Sequence, residues 1–115
     1  MTVQIYHNPR CSKSKQALSY LEKKGISPEI ILYLETPPTA DELGLTLLKL
    51  DLSPRDIMRT NEKLYKELEL NDPSLSDEAL ITVLCAHPIL IERPIVINGD
   101  QAKLARPADV IEEIL

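Results

Sequence analysis

VQIYHNPRCSKSKQALSYLEKKGISPEIILYL, residues 3–34, decides how the chain folds. Val3 and Ile5 alternate with polar neighbours, and the turn-forming Asn8-Pro9 stops the pattern, so Met1 to Tyr6 predicts a short strand. From about Ser12, the apolar residues Ala17, Leu18 and Leu21 recur at helical spacing. Lys23-Lys24 suits the negative end of a helix dipole, and Gly25 supplies a C-terminal stop. After Pro28, Glu29 to Leu34 is a β-branched, almost continuous apolar run, as expected of a buried parallel strand reached by a right-handed crossover. The segment predicts a βαβ unit with a thiol, Cys11, at the mouth of its helix.

Beyond this unit Thr36-Pro37-Pro38 breaks the chain, and Thr39 with Glu42 makes a capping box for a helix reaching about Leu50. Ser53-Pro54 places a cap and an N1 proline before a short helix carrying Ile57, Met58 and Arg59. A mostly helical middle follows, with a helix from Ser76 to about His87. Pro94-Ile95-Val96-Ile97, then Asn98-Gly99, then Gln101 to Ala105 read as a β-hairpin. Arg106-Pro107 opens a last helix with Val110, Ile111, Ile114 and Leu115 on one face. The order βαβ, helical insert, ββα describes an α/β chain with a mixed sheet. With no repeat or flexible linker, residues 1–115 predict one domain with a helical insertion at about 39–88.

Composition narrows the function. The 115 residues carry 13 Lys+Arg against 18 Asp+Glu, a net charge of −5, with no Phe, no Trp and only four Tyr. An acidic chain poor in aromatics lacks both the basic stripe and the stacking platforms of nucleic-acid binders. No apolar run approaches the roughly 18 residues of a membrane span, and no basic n-region precedes an apolar stretch, so the expectation is a soluble cytoplasmic protein. Two cysteines are too few for a disulfide scaffold, and no Cys/His spacing suggests a metal site. Neither a metal nor a bound cofactor is expected, and the acidic surface suggests a monomer.

Cys11 is the first candidate for chemistry. A thiol just before a helix meets the free N–H groups and partial positive charge of the N-terminus, which favour the thiolate, and Arg10, Lys13 and Lys15 act in the same sense. Cys85, among Leu80, Ile81 and Leu84, reads instead as core packing. Arg59, Arg93 and Arg106 each stand at a junction between elements. Brought together beside a thiolate, their guanidinium forks would suit a tetrahedral oxyanion. His7 reads equally as a base or thiolate partner and as a loop hydrogen-bonder. The Arg93–Pro94 bond reads either as the start of an edge strand or as a cis turn facing substrate.

Taken together, H-N-P-R-C-S-K-S (7–14), Y-L-E-T-P-P-T (33–39), E-R-P-I-V (92–96) and A-R-P (105–107) resemble the glutaredoxin-coupled arsenate reductase family over essentially the whole chain. The resemblance implies a thioredoxin-like fold. It also implies that Cys11 is the catalytic cysteine, that Arg59, Arg93 and Arg106 hold the oxyanion, that His7 and Ser14 assist the thiolate, and that Pro94 is the cis-proline of such folds. The implied reaction begins with attack of Cys11 on arsenate to give a covalent arsenic adduct. Glutathione, the co-substrate, attacks that adduct, and glutaredoxin resolves the mixed disulfide, with arsenite the product. Where well-known plasmid-borne members carry small residues around the cysteine, this chain has Arg10, Ser12 and Lys13. The Spx-like regulators, which share the fold and bind RNA polymerase, usually carry C-x-x-C. This chain has Cys11-Ser12-Lys13-Ser14, which leaves a single-cysteine interaction module or a glutaredoxin-like thiol oxidoreductase as alternative readings.

Overall fold

Strand β1 (Val3–Tyr6) takes a central position in a four-stranded sheet ordered β2-β1-β3-β4, with β2 (Glu29–Ile31), β3 (Ile95–Asn98) and β4 (Gln101–Leu104). β1 runs parallel to β2 and antiparallel to β3, and β3 pairs antiparallel with β4. The mixed sheet is that of the thioredoxin-like α/β class. The computed structural model describes residues 2–115. They divide into two compact units, residues 2–36 with Arg93–Leu115, which holds the sheet, and Pro37–Glu92; Met1, the expected start of the first strand, lies outside the described residues.

In the sheet unit, helix α1 (Ser12–Lys23) buries Ala17 and Leu21 against Val3, Ile5 and Val96 of the sheet and Ile111 and Ile114 of the final segment. Leu21 is fully buried, so Leu21→Ala costs about 2–5 kcal/mol. α1 ends in a Schellman motif: Ile26 N–H donates to Leu21 O and Gly25 N–H to Glu22 O, both at 3.0 Å. Gly25 sits at φ +77, which is why glycine occupies the position.

The second unit is helical, with α2 (Ala40–Leu50), α3 (Lys63–Glu67) and α4 (Asp77–Ala86) and two 3-10 turns, Pro54–Ile57 and Pro88–Leu90. The capping box at α2 forms as its sequence predicts. Glu42 N–H donates to Thr39 Oγ1 (3.2 Å), and Thr39 N–H donates to Glu42 Oε1 (2.9 Å). Ser76 caps α4, its Oγ accepting from Ala79 N–H at 3.1 Å. Leu43, Ile57, Leu80, Leu84, Leu90 and Ile91 are fully buried, and Met58 and Ile91 form an antiparallel bridge.

Several expectations are corrected. β2 ends at Ile31 rather than Leu34, because its last pairing is Tyr6 with Ile31. Beyond it the chain turns, with Glu35 and Thr36 N–H both donating to Leu32 O at 2.9 Å. Lying at the sheet's edge, β2 is not buried: Ile30 is 48% exposed. The turn before Arg59 is 3-10 and stops at Ile57, so Met58 and Arg59 lie past it. Asn98 pairs with Gln101, which makes Gly99-Asp100 the hairpin loop in place of Asn98-Gly99. The last helix is 3-10, Ala108–Ile114; its three-residue repeat lines up Ile111 with Ile114 and leaves Leu115 exposed. Cys85 is half-buried, because α4 turns Leu80 and Leu84 inward and Cys85 lies about 100° around from Leu84. No helix among the described residues is long and apolar enough to cross a membrane.

Candidate active site

Strand register fixes where the candidate residues of the sheet unit lie. Tyr6 pairs with Ile95 and Ile95 with Leu104, so the end of β1, the start of β3 and the end of β4 share one end of the sheet. The loop from His7 to Cys11 leaves from the first, Arg93-Pro94 leads into the second, and Ala105-Arg106 follows the third. Ala105 N–H donates to Pro94 O at 2.9 Å, and Arg106 Nη1 reaches Arg93 O at 3.5 Å. The Arg93–Pro94 peptide is cis, and so is Arg106–Pro107.

Cys11 is the N-cap of α1, with φ −100 and ψ 123, and its side chain makes no capping hydrogen bond. Its backbone is fully committed: the N–H donates to Asn8 O, and the C=O accepts from Lys15 N–H, both at 3.0 Å. The sulfur is thus held at a helix N-terminus without being used to build the helix.

Asn8 organises the approach to it. Its Oδ1 accepts from Arg10 N–H at 3.0 Å, a local Asx turn, and its own N–H donates to Ser14 Oγ at 3.0 Å. Ser14, fully buried in the first turn of α1, lies 2.6 Å from His7 Nδ1. A hydroxyl has one proton. Ser14 therefore either gives it to Nδ1, or accepts from Nδ1–H and keeps it for a third group. Burial, and then the charge of Lys15, push the His7 pKa below the ordinary imidazole value, so His7 is neutral at pH 7. His7 N–H donates to Ile31 O at 2.9 Å, which ties the loop to β2.

Arg93 buries its Nε with no hydrogen-bond partner among the described residues. Arg106 is exposed at the same end of the sheet. Arg59 belongs to the second unit, where its surroundings differ: Nε donates to Glu62 Oε1 and Nη1 to Glu92 Oε1, each at 3.2 Å. Its N–H also donates to Leu90 O at 2.8 Å. Sequence reading found Arg59 but not its partners. The three-residue spacing to Glu62 was a readable signal; Glu92, thirty-three residues away, left none. The sequence marks Asn8 as a turn former; in the fold its side chain and N–H also build the loop. Both cysteines are free, and the Cys85 thiol is pushed up by burial and then by Glu42.

A family model described as "ArsC family" matches residues 6–114. A protein of Neisseria meningitidis serogroup A named "Arsenate reductase" is 48% identical over 114 residues, covering 98% of this chain and 97% of that protein. Another of that name, from Haemophilus influenzae, is 49% identical over 116 residues with both chains fully covered. The solved structure titled "Arsenate reductase from Vibrio cholerae" superposes with a TM-score of 0.97 at 51% identity, covering 100% of this chain and 98% of that one.

Proposed function

The chain belongs to the ArsC family, and from that premise we propose that it reduces arsenate to arsenite, with glutathione and glutaredoxin as the source of electrons. The observation that carries this reading is the Arg93 Nε, a buried donor with no partner among the described residues, at the end of the sheet from which the Cys11 loop leaves. A buried unpaired donor costs about 1–3 kcal/mol, which an oxyanion accepting that hydrogen bond offsets.

Cys11 is the nucleophile. Its thiolate attacks arsenic; an As–S bond forms, an As–O bond breaks, and the oxygen leaves as water with protons from the medium, arsenic remaining As(V). Glutathione thiolate then attacks the Cys11 sulfur. An S–S bond forms, and the electron pair of the S–As bond stays on arsenic, which departs as As(III). Glutaredoxin takes over the glutathione by thiol–disulfide exchange and regenerates Cys11. Two thiols become one disulfide, which balances the two electrons. Arg93 and Arg106 hold the oxyanion from the sheet unit; for Arg59, in the other unit, only the family resemblance implies a part in holding it. His7 and Ser14 support the thiolate through the network at the first turn of α1, and Pro94 shapes the turn that carries Arg93.

A coupled assay of arsenate reduction tests this. Wild type and Cys85→Ser should form arsenite with glutathione plus glutaredoxin, and Cys11→Ser should form none. Turnover in Cys11→Ser, or wild-type turnover sustained by thioredoxin alone, overturns the reading.

A further inference from the structure

We propose that the cleft between residues 8–10 and residues 32–35 is the binding site for the thiol co-substrate, a small zwitterionic peptide of the glutathione class. The inference rests on the reading of Cys11 as a nucleophile that needs an external thiol.

The cleft has a volume of about 350 Å³, at the lower end of the range for small-molecule sites. Both walls are built by hydrogen bonds. One is the Asx turn in which Asn8 Oδ1 accepts from Arg10 N–H; the other is the turn closed by Glu35 and Thr36 N–H on Leu32 O. His7 backbone N–H on Ile31 O joins the two walls, and the rings of Tyr6 and Tyr33 stack with centroids 6.0 Å apart.

The lining has a definite chemical character. Leu32 and Leu34, 36% and 41% exposed, give it an apolar side. Arg10 and Glu35 add one charge of each sign; both are exposed, and neither side chain has an ion pair or hydrogen bond among the described residues. A matching ligand carries a carboxylate for Arg10, an ammonium for Glu35 and aliphatic atoms to lie along the leucines. A γ-glutamyl tripeptide has all three. An inorganic oxyanion has neither the cation nor the apolar part, and a purely acidic peptide meets repulsion at Glu35. Cys11, Arg93 and Arg106 do not line the cleft, so thiol and oxyanion do not compete for the same groups. Arg10 nevertheless immediately precedes Cys11, which puts a ligand held there next to the nucleophile's own loop.

The experiment is a titration of ¹⁵N-labelled protein with S-methylglutathione, which binds without reacting. Saturable shifts are expected at the amides of Asn8, Arg10, Leu32 and Glu35. Glu35→Lys, at an exposed position without partners, should weaken binding by about tenfold through loss of a charge-assisted contact, and Glu35→Asp should keep most of the affinity. The variant's spectrum itself reports that it is folded. Absence of saturable shifts, shifts confined elsewhere, or unchanged affinity in Glu35→Lys overturns the proposal. So do shifts at these amides from glutaredoxin but not from S-methylglutathione, which assign the cleft to a protein partner. The titration needs no turnover: binding here in a protein that fails to reduce arsenate upholds this site and removes the proposed reaction.

Discussion

Arg93, in the unit that holds Cys11, buries its Nε with no partner among the described residues, whereas Arg59, in the unit that holds Cys85, commits its Nε and Nη1 to Glu62 and Glu92. The cysteines divide the same way. Cys11 sits at a helix N-terminus with its side chain unused, and Cys85 is half-buried on α4 with a thiol held up by its surroundings. Folding satisfies nearly every buried polar group it can. A donor left unsatisfied at the end of the sheet from which the Cys11 loop leaves is what the proposed oxyanion site requires, and a guanidinium held by two carboxylates has a structural role whatever else it does.

The sharpest way to break this contrast is to keep charge and remove shape. Arg93→Lys retains a cation but offers no planar fork, so kcat/KM for arsenate should fall on the order of 100-fold, the equivalent of about two charge-assisted hydrogen bonds. Arg59→Lys should fall by less, because two of its donors already serve Glu62 and Glu92. Steady-state kinetics on both variants decide the point. A larger loss in Arg59→Lys makes Arg59 the principal oxyanion ligand and reverses the comparison.

Stability gives the converse test. Arg59→Met removes the cation shared by Glu62 and Glu92, each with a side chain 26% exposed, and should cost about 1–2 kcal/mol after allowance for solvent screening. Arg93→Met removes a buried Nε–H that has no hydrogen-bond partner among the described residues and keeps a side chain of similar length, so urea denaturation should find it unchanged or slightly more stable. Equal losses in the two variants sink the distinction.

Local signals carried most of the fold. Alternation in Val3–Tyr6, the Thr39/Glu42 capping box and Ser76 before α4 each rest on interactions within a few residues, and these elements formed where the sequence put them. The errors fell where the outcome depended on distant neighbours. Glu29 to Leu34 has the composition of a buried strand, but its exposure follows from its place at the sheet's edge, which composition does not encode. Leu115 fits an apolar face at 3.6-residue spacing and leaves it at three. For the candidate residues, the placement of Cys11 before α1 and of Arg93 and Arg106 next to strand ends was legible because helix starts and strand ends are local. The unpaired Arg93 Nε and the Glu92 clamp on Arg59 were not, since each depends on segments that meet only in the folded chain.

The smallest expected effect concerns pH, and it separates the units once more. His7 is buried and its folded pKa lies below the ordinary 6.5, chiefly through desolvation and then through Lys15. Below pH 6.5 the unfolded chain takes up a proton at this position before the folded chain does, so the unfolded state is favoured. Stability from this group is thus complete above 6.5, declines as the pH falls from there to the folded value, and is constant below it. In the second unit the corresponding groups are Asp56, lowered by hydrogen bonds from Ser53, and Asp72, lowered by hydrogen bonds from Ser74. Their contribution is present above the ordinary aspartate value of 3.8 and is lost as the pH falls through their folded values, so it belongs to a lower window. Urea denaturation from pH 7.5 down to 5 should therefore reveal a decline that His7→Gln flattens, with glutamine still able to meet Ser14, and that Lys15→Gln narrows. If the decline persists unchanged in His7→Gln, another group carries it, and the His7–Ser14 pair is not the neutral network from which the thiolate is supported.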